Sequence, residues 1–99
     1  MEEKFASGHW QVQKGKEEEF IQRWTDFLKW TRETQSSLVG ANLIQDEQDP
    51  SHFLSFAQWE DEGGRVAWRE DPMFGEKLSA CRALCEDFRG GDYERVVAI

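Results

Sequence analysis

Residues 38–59, LVGANLIQDEQDPSHFLSFAQW, decide the fold. Leu38 to Glu47 predicts a strand, with Gly40 near its start. Asp46-Glu47-Gln48-Asp49-Pro50-Ser51 supplies turn chemistry, because Asp, Asn-like and Pro residues favour tight reversals. His52 to Trp59 predicts a second strand, so the stretch is expected to form a β-hairpin.

The flanking segments repeat one pattern on each side. Upstream, Phe5 to Gln13 predicts a strand, with Trp10 and Val12 on one face and His9, Gln11 and Gln13 on the other. Lys14-Gly15-Lys16 breaks it. Glu17-Glu18-Glu19 opens a helix reaching about Gln35, three carboxylates suiting the positive end of the helix dipole. Phe20, Trp24, Phe27, Leu28 and Thr31 form its apolar stripe, with Trp30 at the margin. Downstream, Asp61 to about Glu70 predicts a short helix containing Gly63-Gly64. Asp71-Pro72 starts another, with Asp at the cap and Pro at the first helical position. Phe74, Leu78, Cys81, Cys85 and Phe88 follow at helical spacing, Gly90-Gly91 is the expected stop, and Tyr93 to Ile99 the last strand. The order β-α-β-β-α-β is the ferredoxin-like α+β arrangement, an antiparallel sheet with helices on one face. Its bare face calls for a second layer, which a second copy of the sheet would supply.

The 99 residues suit one domain, spanning 1–99. Twenty acidic against 12 basic side chains give a net charge of -8, which disfavours nucleic acid and anionic membranes. No apolar run approaches the ~20 residues of a spanning helix. Met1-Glu2-Glu3-Lys4 lacks the basic and apolar regions of a signal peptide, so a cytoplasmic location is expected. Against this polar background stand five tryptophans and seven phenylalanines. Such rings either fill a bulky core or line a pocket for a flat, apolar ligand.

Several segments resemble the antibiotic biosynthesis monooxygenase (ABM) family. Gly15-Lys16-Glu17-Glu18-Glu19-Phe20 is similar to the family's "PGKEDEF" helix opening. Gly40, the Asp49-Pro50 turn, Phe53 and Gln58-Trp59-Glu60-Asp61 resemble its glycine, hairpin turn and "EWED" segment. Trp68 through Asp71-Pro72-Met73-Phe74 resembles its "H-x-x-S-P-H-F" stretch. The resemblance runs from about Ala6 to Phe74. It implies a homodimeric α+β barrel, joined through the open sheet faces, with a pocket in each subunit between sheet and helices. It further implies oxidation of phenol- or quinol-like substrates by dioxygen, often without a cofactor. A branch of the family degrades haem with a strand Asn, a helix Trp and an iron-ligating helix His. Here Trp68 stands at the Trp position, but Gly8 falls near the Asn position and Leu78 near the His position. Leucine cannot ligate iron, so the haem reading ranks last.

The pocket residues expected on this basis are Gly8, Trp10, Trp24, Trp59, Trp68 and Phe74. Four of them have a plainer reading. Trp68 and Trp24 could be core, Trp59 a structural residue of the fold, and Gly8 a point of close helix approach. His9, Asn42 and Trp68 are the candidates for catalysis. His9 should face the subunit interface, and Asn42 suits an interface hydrogen bond. His52 borders the turn and should be solvated. Neither histidine sits in a metal or nucleophile motif. Cys81 and Cys85 read as buried small hydrophobes on one helix rather than a disulfide. Glu17 to Glu19 and Asp46 to Asp49 read as solvated surface. No phosphate loop, nucleophile elbow, flavin or nicotinamide fingerprint occurs, so neither a cofactor nor a metal is expected. Two functions remain: a cofactor-independent monooxygenase acting on a planar aromatic compound, or a non-catalytic binding or sensing dimer.

Overall fold

A computed structural model describes residues 3–99; Met1 and Glu2, part of the acidic start noted above, lie outside them. The elements run β1 (Lys4–Val12), α1 (Glu17–Thr34), β2 (Leu38–Gln45), β3 (His52–Trp59), α2 (Glu62–Glu70), α3 (Pro72–Arg82) and β4 (Cys85–Glu94). The four strands pair antiparallel in the order β2-β3-β1-β4, the ferredoxin-like arrangement, with the helices on one face. Among the described residues no helix is long and apolar enough to cross a membrane.

Local chemistry sets the element ends. Gly15 has φ 91°, a left-handed conformation that glycine adopts without steric cost, and it turns the chain from β1 into α1. Ser51 Oγ, at the end of the hairpin turn, donates to Glu17 Oε2 at 2.7 Å and ties the start of α1 to the hairpin. Asp61 caps α2 by accepting from Gly64 N at 2.7 Å. Asp71 caps α3 by accepting from Met73 N at 2.9 Å, with Pro72 behind it where no N–H is needed.

The C-terminal third departs from the sequence expectation. The helix stops at Arg82 instead of continuing to Phe88, and the last strand is 85–94 instead of 93–99. Gly90 and Gly91 lie inside that strand, opposite Gly8 and Ser7 of β1. The spacing misleads because Cys85 and Phe88 turn toward the same core as Phe74, Leu78 and Cys81. A register shift between Gln11 and Val12 brings Cys85 opposite Val12. Pairing along nearly the whole of β1 outweighs a helical period carried by only two further residues.

The core lies between sheet and helices. Ala6, Trp10 and Val12 of β1 and Phe53, Ala57 and Trp59 of β3 point into it, as do Phe20, Phe27 and Thr31 of α1. Trp10, Phe20 and Phe53 pack in series, with ring centroids 5.2 and 5.1 Å apart. Trp68 of α2 packs 4.9 Å from Trp59 and 5.7 Å from Phe27. Among the described residues, the opposite sheet face carries no second layer. It presents Ile44, Phe56 and Tyr93, all exposed, with His9 and His52.

Candidate active site: a walled cavity between sheet and helices

Not all of the space between the layers is filled. A cavity of about 330 Å³ remains, within the range of small-molecule sites. Gly8, Ser55 and Gly90 form its floor on three adjacent strands, all in the same rung of the sheet. Trp24, Phe27 and Leu28 of α1 and Phe74 and Leu78 of α3 make an apolar roof. Trp68 and Arg69 of α2 close one side together with Asp92 of β4.

Two indoles are fixed in this wall by buried hydrogen bonds. Trp10 Nε1 donates to Ser55 Oγ at 2.9 Å, and Trp68 Nε1 donates to Thr31 Oγ1 at 3.0 Å. Thr31 in turn donates to the Phe27 carbonyl at 2.9 Å. Each polar ring edge is thus satisfied inside the protein, and the apolar remainder of each ring packs against Phe20 and Phe88 for Trp10 and against Phe27, Trp59 and Phe74 for Trp68 while bordering the cavity. Gly8 makes the first arrangement possible. A Cβ there would stand 2.8 Å from Trp10 Nε1, 3.0 Å from Ser55 Oγ and 3.1 Å from the Phe88 ring. The space left by the missing side chain therefore admits the indole and Phe88, whose rings lie 4.1 Å apart.

The polar end of the cavity is ionic. Arg69 Nη1 donates to Asp92 Oδ2 at 2.8 Å, and its Nη2 pairs with Asp92 Oδ1. Arg65, one helical turn earlier and buried, donates to the Phe5 carbonyl at 2.8 Å and approaches Asp92 at 3.8 Å. The hydrogen bond from Arg69 holds the Asp92 carboxyl below the ordinary carboxylate range, outweighing the opposing effect of burial, and the charges of Arg69 and Arg65 add lesser lowering effects. Asp92 is therefore ionised at neutral pH and a weak base.

Of the residues singled out from sequence, Gly8, Trp10, Trp24, Trp68 and Phe74 border the cavity. Trp59 does not. It is fully buried behind Trp68. His9 and Asn42 are on the other face of the sheet, Asn42 exposed and His9 stacked against His52 at 5.9 Å. His52 is half-buried, its Nδ1 3.2 Å from Asp46 Oδ2, rather than freely solvated. Ser55, Arg69, Phe88 and Asp92 were not singled out. Arg69 follows Trp68 directly, which was a usable signal, whereas Phe88 and Asp92 were hidden by the misplaced last strand.

Among the described residues no group of three or more His, Cys, Asp or Glu side chains is placed to hold a metal ion. Cys81 is buried and its thiol is pushed up to about 12, mainly by desolvation. Cys85 is pushed up to about 11 for the same reason. Both behave as packing groups, not nucleophiles.

Residues 5–77 match the family model for antibiotic biosynthesis monooxygenase. The chain belongs to the ABM family. Solved structures carry the same fold over the rest of its length. SnoaB, a cofactor-independent oxygenase from Streptomyces nogalater, is 18% identical, with a TM-score of 0.89 over 100% of this chain and 98% of that one. A Deinococcus radiodurans protein provisionally assigned to the ABM family is 20% identical, with a TM-score of 0.83 over 97% and 95%. A conserved protein from Methanosarcina mazei is 17% identical, with a TM-score of 0.83 over 94% and 92%. At these identities the likeness carries the ABM fold. A search of the curated proteins finds no match.

Proposed function

We propose that this ABM-family chain is a cofactor-independent monooxygenase acting on a planar phenol- or quinol-like compound. The observation that carries the reading is the cavity itself: aromatic-walled, of small-molecule size, with one ionic end. SnoaB, of the same fold, is described as a cofactor-independent oxygenase, which supports the reaction type.

In this reading Trp68 and Trp10 flank the substrate ring, and the apolar roof keeps water out. The ionised substrate passes one electron to dioxygen. The resulting radical pair combines at a ring carbon, and the peroxide loses water. One oxygen atom stays as a quinone carbonyl, the other leaves as water, and the substrate supplies all four electrons. Neither metal nor cofactor enters this scheme. The active unit is a homodimer joined through the open sheet faces, the whole chain forms one domain, and the location is cytoplasmic, where Cys81 and Cys85 stay reduced.

Oxygen-electrode traces with one- to three-ring phenols and hydroquinones test the proposal. Uptake above the protein-free rate is expected for at least one of them. Its absence across the panel would refute the proposed reaction.

One observation favours the second reading, a binding or sensing dimer. The side-chain polar groups named in the cavity wall are all engaged within the protein, so none stands ready as a general base. Saturable ligand binding without oxygen uptake would support that reading instead.

A further inference from the structure

The ionic end of the cavity indicates how substrate is selected. We propose that Arg69 captures the substrate's anionic oxygen, so that the cavity takes aromatic compounds already ionised in solution and needs no protein base. This rests on the cavity being the substrate site.

Three observations converge on Arg69. It borders the same cavity as Trp68, its guanidinium carbon 6.0 Å from that ring's centroid, so an oxygen substituent on a ring held in the cavity can meet it. Asp92 engages only the two Nη atoms, and the other N–H groups of the guanidinium have no partner among the described residues. Two guanidiniums, those of Arg65 and Arg69, face the single carboxylate Asp92 at this end of the cavity. Arg65 is anchored by the Phe5 carbonyl and lies near Asp92, which gives Asp92 an alternative partner when a ligand oxygen takes its place on Arg69. A guanidinium is always charged and pairs with oxyanions in a fixed geometry. It can therefore hold a phenolate but cannot accept its proton.

With the only carboxylate among the described lining residues, Asp92, engaged by Arg69, the substrate's own ionisation becomes part of the selection. The pH dependence of kcat/KM should follow the ionisation of the free substrate. Across a series of substituted phenols its midpoint should move with the phenol's own pKa and not stay fixed at an enzyme value.

Binding provides a test independent of turnover. Isothermal titration calorimetry would compare 2-naphthoate with the neutral isostere 2-naphthamide, on the wild-type chain and on Arg69→Gln, Arg69→Lys and Asp92→Asn. The expected result is that naphthoate binds about tenfold or more tightly than naphthamide. Arg69→Gln should abolish the difference, Arg69→Lys should keep part of it, and Asp92→Asn should strengthen naphthoate binding by removing its competitor. Melting curves would establish that each variant is folded. Equal affinities for the two probes, with no response to Arg69→Gln, would overturn the assignment of Arg69 while leaving the cavity as an aromatic site. Failure of both probes to bind would overturn the cavity reading and the assignment together.

Discussion

Trp68 joins core and cavity in one side chain. It is 6% exposed, stacks on Phe27 and Trp59, and still borders the cavity. Its side chain thus packs the core and borders the cavity at once, and contact with substrate is the proposed part of its role. Trp68→Ala should cost roughly 3–5 kcal/mol, the usual range for removing a large core aromatic, measured by denaturant unfolding. Thr31→Val is the finer probe. It keeps the volume and adds apolar surface, yet leaves the buried Trp68 N–H without its acceptor. It should destabilise by about 1–3 kcal/mol, and a neutral or stabilising result would refute a structural role for that hydrogen bond. Gly8→Ala should be destabilising too, by about 1–3 kcal/mol, because its methyl group must displace the Trp10 indole, Ser55 or Phe88.

Among the elements, the hairpin, both helix starts at Asp61 and Asp71, and the inward face of β1 were legible because turn residues, caps and alternation are local signals. The C-terminal strand was not. Phe88 and Cys85 fit a helical period by chance, and Gly90-Gly91 imitates a helix stop, while the pairing partners that decide the matter lie some 80 residues away in β1. The same error concealed Asp92, and with it the ionic end of the cavity. In α3, Gly75 sits mid-helix at a negative φ with open space where a Cβ would be. Gly75→Ala should raise stability by about 1 kcal/mol, read as a higher melting temperature. The junction of α3 and β4 holds both thiols. Each has a folded pKa raised above the ordinary 9.0, to about 12 for Cys81 and about 11 for Cys85. The folded state keeps these protons more tightly than the unfolded chain. Their contribution is intact below pH 9 and is lost as pH rises through 11 to 12. Unfolding experiments should show alkaline destabilisation over that window, reduced in a Cys81→Ala, Cys85→Ala double variant. Stability unchanged between pH 9 and 11.5 would contradict the burial of these thiols.

As a whole, the molecule is a slab of 40 × 34 × 18 Å, thin because one layer of helices covers one layer of sheet. The uncovered face carries Ile44, Phe56 and Tyr93, and the proposed homodimer buries it. Sedimentation should give about twice the 11.6 kDa chain mass, and Ile44→Asp, outside the cavity, should return it to that of one chain. A monomeric wild type would refute the barrel. In the proposed reaction the aromatic cavity performs oxygen transfer unaided. The most direct measurement is turnover of 1-naphthol under ¹⁸O₂ by chelator-treated protein, with product analysed by mass spectrometry. The expected product is 1,4-naphthoquinone carrying one ¹⁸O atom, with one O₂ consumed per quinone, no hydrogen peroxide, and activity lost in Arg69→Gln. Quinone without label, or a rate no higher than that without protein, would contradict it.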